Sequence, residues 1–544
     1  MLTFQPWRRV PGRVLMFLLN AFIFVALIFE GYNQGVLGTV SGTPGFIEMA
    51  DIGSDGIVTN STKQGGLAAA YYFGALFGAF IGGWIGDRYG RKVGVFLGAW
   101  QGLIGGALQA GSVNADMFIC ARVLTGLGMG FVMAIVPPWV SELSQAHDRG
   151  SNFSAIFIAN FLGVTIANWI NFGVRTSEAQ FRWRFPLGFM CVPVFINAVT
   201  VMFLPESPRW LMAHDRRDEA VEILCKVRGD ILPTDPSIQG ELEQLHAIVE
   251  ASKHPRNSYI NLFLCGRHSG SLHLGRRAML GFALQQIQQW CGIVAIVTWS
   301  SRLFALAGFD EFKSLWMAGL VNTLGIFGTA AAGLIIDRIG RRMSLLVSFV
   351  IQGIALFVVA GLIKSSEDYA ETNLRKSEML GQGAASFVFI YLWFFCMFNI
   401  VPSWLYGTEI WPQDVRAKGY SFTILGWAVG CGMTTFLIPT MLSRIGWYTF
   451  VFFGVMNATV LPIIYFFYVE PAGRSLEEVN LLFTSDSPFV KRNVEEYDRR
   501  VAAAGGNTAV AARRLMEEVE GIFTGDEEGL EKDSKLKVED IEVS

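Results

Sequence analysis

The stretch "GWIGDRYGRK" fills positions 83–92, and "GLIIDRIGRR" fills positions 333–342. Each follows a long apolar run and sets an aspartate, an arginine, a glycine and two basic residues in one order. The likeness continues along both halves of the chain. Glu142 and Arg149 bracket a loop between apolar runs, and Glu409 and Arg416 bracket another at the same separation. "PESPRW" (205–210) and "VEPAGR" (469–474) each pair a glutamate with an arginine. Three matched motifs in matched order signal a duplication.

Working outward, the composition fits a bilayer. Of 544 residues, 52% are hydrophobic, only 16% are charged and 59 are glycines. Several runs exceed the roughly 18 to 20 apolar residues that cross a hydrocarbon core. Six spans are expected near Val14–Leu37, Gly65–Ile85, Val93–Val113, Met117–Val136, Asn152–Phe172 and Phe185–Leu204. Six more follow near Met279–Trp299, Leu315–Ile336, Leu345–Ile363, Ala384–Leu405, Tyr420–Met441 and Trp447–Tyr468. The expected fold is therefore an all-α membrane protein of twelve helices in two six-helix pseudo-symmetric halves. Residues 1–204 form the first half, 205–277 a cytoplasmic central loop, 278–468 the second half, and 469–544 a largely disordered acidic cytoplasmic tail. Parallel six-helix halves with a solute site between them are one plan for secondary transporters.

Arg8, Arg9 and Arg13 before the first run could imitate a secretory signal, but the run is too long and has no small-residue cleavage pattern. Arg88, Arg91, Lys92, Arg338, Arg341, Arg342, Arg416 and Lys418 fall on the side of the basic amino terminus, which predicts that side to be cytoplasmic. Arg182, Arg184, Lys364, Arg375 and Lys376 fall opposite, and the central loop adds many basic residues within. A multi-pass protein of the plasma membrane with both termini inside is expected. Asn60-Ser61-Thr62 in the first outer loop matches the N-glycosylation acceptor pattern. Asn152-Phe153-Ser154 and Asn457-Ala458-Thr459 match too, but at or within spans.

Several functions are disfavoured. The net charge of −3 gives nucleic acid no footing. No phosphate loop, nucleophile constellation or metal cluster is visible, so neither an enzyme nor an ATP-driven pump is expected, and no cofactor or metal. The seven cysteines show no zinc or redox spacing, and most read as small core residues.

Gln285, Gln288 and Gln289 stand at i, i+3 and i+4 and share one helical face. Amides on a lipid-facing stripe would be costly, so they face water, protein or ligand. Hydrogen bonds between helices are one reading, and hydroxyl recognition another. At the helix ends, Asp87, Arg88, Arg91, Glu142, Arg149, Glu206 and Arg209, with Asp337, Arg338, Arg341, Glu409 and Arg416 in the second half, can latch helices by ion pairs. Exposed pairs are worth only about 0 to 1 kcal/mol each, which suits a gate that breaks and reforms. A fixed latch or a topology signal is the alternative.

"GDRYGRK", "RVLTGLGMG", "VPPWVSELS", "PESPRWL", "QQIQQWCGI", "DRIGRR" and "GTEIWPQDVRAKG" together resemble the sugar porters of the major facilitator superfamily, of fungal type. The resemblance spans nearly the whole chain except its tail. It implies alternating access to a polyol-binding cavity, a cytoplasmic helical patch, a monomer in the lipid bilayer and a small-molecule sugar or polyol substrate. It places sugar ligands at Gln285, Gln288, Gln289 and Asn322, and a stacking aromatic at Trp404. This chain also departs from the pattern. A usual fifth-span glutamine is Phe157, a seventh-span asparagine is Val294, and eleventh-span positions become Gly426, Trp427 and Cys431.

"FEGYNQG" (29–35) bears on protons. The family's proton-coupled members have an aspartate where Asn33 stands, near a fourth-span arginine that here is Arg122. Animal facilitators also lack that aspartate and run without protons. Glu30, three residues earlier and nearly on the same face, can supply the carboxylate. An uncompensated charge at midplane costs about 2.5 kcal/mol or more, so Glu30 and Arg122 are expected to pair. Proton symport through them is the expectation, with uniport, a static pair, a metabolite exporter and a nutrient sensor as alternatives.

Overall fold

The computed structural model describes residues 6–143, 149–252, 272–412 and 415–518. Twelve helices are long and apolar enough to cross a membrane, and they are numbered here as spans. The first six are Gly12–Val40, Ser61–Tyr89, Arg91–Ala110, Ala115–Trp139, Ser154–Gly173 and Ala179–Phe203. The second six are Leu274–Val297, Glu311–Ile339, Arg341–Tyr369, Leu374–Glu409, Lys418–Arg444 and Tyr448–Phe467. An even number of crossings leaves the amino terminus and the described carboxyl-terminal segment on one side, called the terminal face below.

The duplicated motif explains how each half is built. Gly90 has φ +106° and Gly340 has φ +85°, backbone settings that side chains resist, and each turns the chain from one span straight into the next. A Cβ at Gly90 would lie 2.6 Å from Oε2 of Glu206, and one at Gly340 would lie 2.7 Å from Oε2 of Glu470. Those carboxylates fill the glycine notches. Glu206 accepts from the main-chain N–H groups of Arg91 (2.8 Å) and Lys92 (3.2 Å). Glu470 accepts from Arg341 (2.9 Å) and Arg342 (2.8 Å) in the same way. A carboxylate at a helix N-terminus satisfies orphan donors and meets the positive end of the helix dipole. Burial pushes the Glu206 carboxyl above its ordinary value, against the opposing pull of three backbone donors and Arg91.

Within the first half, the first span packs on the fifth and the second on the fourth. Glycine permits the close approach, since a Cβ at Gly126 would lie 1.9 Å from the carbonyl oxygen of Tyr71. Between halves, the second span meets the eleventh and the fifth meets the eighth. Outer spans turn large apolar residues outward, among them Trp100, Phe195, Ile354 and Val455, where lipid would cover them.

Two spans break. The seventh widens into a π-turn over Gln289–Ile293 with Gly292 at φ +105°. The freed carbonyl of Cys291 accepts from the Tyr391 hydroxyl (3.0 Å) and from Nδ2 of Asn457 (2.9 Å). Such re-satisfaction is what makes a break tolerable at membrane depth. The tenth span has its own π-turn over Cys396–Ile400, just before Pro402.

The central segment includes helices Pro208–Ala213, Arg217–Val227 and Pro236–Ser252. The tail differs from the expectation of disorder. Helices Leu476–Leu481 and Val490–Ala503 form, the first closed by a capping box between Ser475 and Glu478. Arg277 at the base of the seventh span holds that segment by donating to Asn480 Oδ1 (2.8 Å) while it also donates to the Ile410 carbonyl (2.7 Å). Phe483 covers the guanidinium at 4.3 Å. Acidic composition concealed these anchors, which depend on long-range partners. The acidic stretch 519–544 and the loop 253–271 lie outside the described residues.

Candidate functional site

A cavity lies between the halves. From the first half come Glu30, Gln34, Tyr72, Phe157, Asn160 and Phe161. The broken seventh span supplies Gln288, Gln289, Ile293, Val294, Val297 and Thr298, and the tenth and eleventh supply Trp404, Trp427 and Cys431. Polar groups thus gather at two poles, with aromatic rings between them.

At the second-half pole the amides are chained. Gln289 Nε2 donates to Gln288 Oε1 (3.1 Å), Gln288 Nε2 donates to Asn399 Oδ1 (3.2 Å), and the Ser403 hydroxyl donates to the same oxygen (3.0 Å). Such a chain fixes which edges of Gln288 and Gln289 remain for a ligand. Gln288 closes the regular helix and Gln289 opens the π-turn. Trp404 contacts the rings of Phe157 (5.7 Å) and Trp427 (6.2 Å). Indole and phenyl faces suit the C–H face of a polyol ring.

Two other expected ligands are elsewhere. Gln285 is fully buried one turn toward the terminal face and does not line the cavity. Asn322 turns back on its own helix, donating from Nδ2 to the Ala318 carbonyl (2.9 Å), and is likewise not a lining residue. Of the three glutamines on the shared helical face, Gln288 and Gln289 reach the cavity and Gln285 does not.

The Glu30–Arg122 pair does not form. Glu30 Oε1 accepts from Gln34 Nε2 at 2.9 Å, and Oε2 accepts from Asn160 Nδ2 at 3.0 Å. Arg122, 2% exposed, donates instead to the Ala68 carbonyl (3.0 Å) and lies 4.9 Å from the centre of the Tyr71 ring. A carbonyl and an aromatic face substitute for the carboxylate as partners of the guanidinium. Asn33 donates to the Phe29 carbonyl (3.0 Å) within its own helix.

The charged motifs act inside each half. Asp87 pairs with Arg91 at 2.5 Å, and Asp337 with Arg341 at 3.1 Å. Arg341 also holds Glu409 by two bonds of 2.9 and 2.7 Å, tying the ninth span to the tenth. Arg88 lies against Trp84 (5.8 Å) and Tyr89 (5.9 Å), and Arg88, Arg209 and Arg338 enter no ion pair among the described residues. Arg416 is half-buried, and the side chains of Glu142 and Arg149 lie outside the described residues.

Contacts that cross between halves are of other kinds. Toward the face opposite the termini, Ser443 donates to Ser61 (2.9 Å), Thr62 and Thr440 share a 3.2 Å bond, and Arg182 meets Glu311 at 2.5 Å. Toward the terminal face, Ser154 donates to the Thr329 carbonyl at 2.6 Å. The halves therefore touch on both sides of the cavity. Asn60 is exposed and caps the second span through Oδ1, which accepts from the Lys63 N–H at 2.9 Å.

Sequence reasoning missed Gln34, Asn160, Asn399 and Thr298. Gln34 stands four residues after Glu30 and Asn160 three after Phe157, so helical spacing from residues already singled out could have found both.

Comparison with known proteins agrees with this geometry. The family described as "Sugar (and other) transporter" matches residues 19–483. The chain is 33% identical over 371 residues to the sugar transporter STL1 of Saccharomyces cerevisiae, covering 67% of this chain and 62% of that one. It is 30% identical over 523 residues to the MFS-type transporter oryC of Aspergillus oryzae, covering 92% and 94% of the two. Among solved structures, the proton:xylose symporter XylE bound to 6-bromo-6-deoxy-D-glucose superposes with a TM-score of 0.70 at 20% identity, over 87% of this chain and 100% of that one. That likeness carries the major facilitator fold. With twelve spans, paired halves and a family match over most of its length, the chain is a membrane transporter and belongs to the sugar (and other) transporter family.

Proposed function

We propose that this transporter moves a sugar or related polyol by alternating access, together with a proton carried on Glu30. The terminal face is then cytoplasmic, as its basic loops favour, and the plasma membrane is its site. The observation that carries the reading is the cavity between the halves, lined by the Gln288–Gln289 amides and by a buried carboxylate that is held by two amides and, among the described residues, by no cation. Amides donate to and accept from hydroxyls, rings cover a C–H face, and a carboxylate without a counter-ion can exchange a proton between the two faces. The names of relatives point the same way: a high-affinity glucose transporter of Kluyveromyces lactis is 26% identical over 401 residues. The exposed Asn60 amide nitrogen is the glycan acceptor in this reading.

Liposomes containing the purified chain test it. Labelled hexoses, pentoses, disaccharides and polyols should reveal at least one solute that accumulates under an inward proton gradient and equilibrates when a protonophore is added. Uptake of none, in liposomes where the protein is folded, would reject the sugar assignment; uptake that only equilibrates, with or without the protonophore, would reject symport in favour of uniport.

A second reading has one observation behind it. Phe157 and Val294 line the cavity in place of the amides of the sugar-porter pattern, and six aromatic rings border it, which favours export of a less hydroxylated metabolite.

A further inference from the structure

We infer that Asn160, on the fifth span, is the positioning residue that reports the protonation state of Glu30 to the bound solute. The inference rests on the proton-coupled reading above and adds the part through which proton and solute would be linked.

Asn160 touches both. Its Nδ2 donates to Glu30 Oε2 at 3.0 Å, and its side chain also lines the cavity. The bond spans the crossing of the first and fifth spans, where the backbones are nearly in contact. A Cβ on Gly31 would lie 1.9 Å from the Asn160 carbonyl oxygen, and one on Gly163 would lie 2.2 Å from the Ile28 carbonyl oxygen. Backbone at this crossing has little room to shift, so adjustment falls to the side-chain amide.

An ionised carboxylate only accepts hydrogen bonds, whereas a protonated one also donates. Facing ionised Glu30, Asn160 must point its N–H toward the carboxylate and leave its carbonyl oxygen for the cavity. Facing protonated Glu30, the amide can turn about its last bond, accept the new O–H and present N–H to the cavity. The proton passes onto Glu30 from water and leaves to water; no bond to the solute forms or breaks. A solute hydroxyl therefore meets an acceptor in one state and a donor in the other, and its affinity follows the proton.

Other groups around Glu30 do not offer this link. Tyr71 on the second span and Tyr420 and Cys431 on the eleventh lie near the carboxylate, Tyr72 shares its cavity wall and Arg122 on the fourth lies against Tyr71, but none is hydrogen-bonded to it among the described residues. Gln34 bonds Oε1, yet it lies on the same helix and moves with Glu30.

The test uses the full chain in liposomes with a mixture of labelled hexoses, pentoses and polyols as the probe. Accumulation under a proton gradient is compared with exchange at equal pH for wild type, Glu30→Gln, Asn160→Ala and Asn160→Gln. Asn160→Ala should lower the ratio of accumulation to exchange at least tenfold and flatten the pH dependence of the KM for exchange; Asn160→Gln, which keeps an amide, should restore part of both. If Glu30→Gln loses accumulation while Asn160→Ala keeps the wild-type ratio within twofold, Asn160 has no such part and the proton-coupled reading survives. If Glu30→Gln itself accumulates solute normally, or no solute in the mixture is carried, both fall together. Should Asn160→Ala fail to reach the membrane, Asn160→Ser supplies the same comparison, and a normal ratio there overturns the inference.

Discussion

Glu30 and Asn160 join the first and fifth spans by a 3.0 Å hydrogen bond at the edge of the central cavity, while Arg122 faces the Ala68 carbonyl and the Tyr71 ring. A carboxylate held only by amides differs from one locked in an ion pair. Neutralising it by a proton breaks no salt bridge, so the energetic barrier to carrying a proton there is the carboxylate's own hydration and hydrogen bonding. Arg122 is satisfied in part without it, and can stay charged through a cycle.

Trp404 should matter to both binding and folding, and the size of the replacement separates the two. It is 6% exposed and its indole contacts Phe157, Tyr420 and Trp427 beside the cavity. Trp404→Phe should raise the KM of the carried solute by about tenfold, the loss of roughly 1 to 1.5 kcal/mol of aromatic contact. Thermal melting in detergent should shift little for that variant. Trp404→Ala should lose both binding and about 3 to 5 kcal/mol of stability.

The helix-capping glutamates should prove equivalent. Glu206→Ala and Glu470→Ala each remove the acceptor of two main-chain N–H groups at the start of the third and ninth spans. Each should cost about 1 to 2 kcal/mol, read as earlier unfolding in a thermal scan. A neutral result for Glu470 and a large one for Glu206 would show that the symmetry of geometry is not one of energy.

Gly31 has no space for a side chain. Gly31→Leu would drive the first span off the fifth, because even a Cβ would lie 1.9 Å from the Asn160 carbonyl oxygen. Overpacking of this kind costs about 1 to 3 kcal/mol. Reduced membrane yield together with lost accumulation is the expected outcome, and Gly361→Leu, within the ninth span where a Cβ meets nothing within 4 Å, is the uncrowded comparison.

The contact between halves at the face opposite the termini can be trapped. Ser61 and Ser443 have hydroxyls 2.9 Å apart, one on the second span and one on the eleventh. Ser61→Cys with Ser443→Cys should form a disulfide on mild oxidation and lower transport at least tenfold, with recovery on reduction. Full transport with the bridge demonstrably closed would mean that these spans need not part at that face.

Much of this architecture is legible in the sequence because a duplication repeats its signals. Charges between apolar runs announce the loops twice, so the glycine turns at Gly90 and Gly340 can be read off one another. The site is less legible. Gln288 and Gln289 share a helical face that spacing reveals, yet Gln285, one turn earlier on the same stripe, is packed away beyond the end of the cavity, and no spacing rule says where a cavity stops. Charge-seeking logic joined Glu30 to Arg122; an aromatic face and a main-chain carbonyl satisfied the arginine instead, and neither has a sequence signature. The folded tail was hidden for a similar reason, since its anchor is Arg277, about 200 residues earlier in the chain.

Solute-driven proton movement tests the central claim most directly. Liposomes containing the wild-type chain and a trapped pH dye, given the carried solute without any imposed gradient, should acidify inside as solute enters, and those containing Glu30→Gln should take up solute downhill with no acidification. Equal acidification by both would place the proton elsewhere and contradict the role assigned to Glu30.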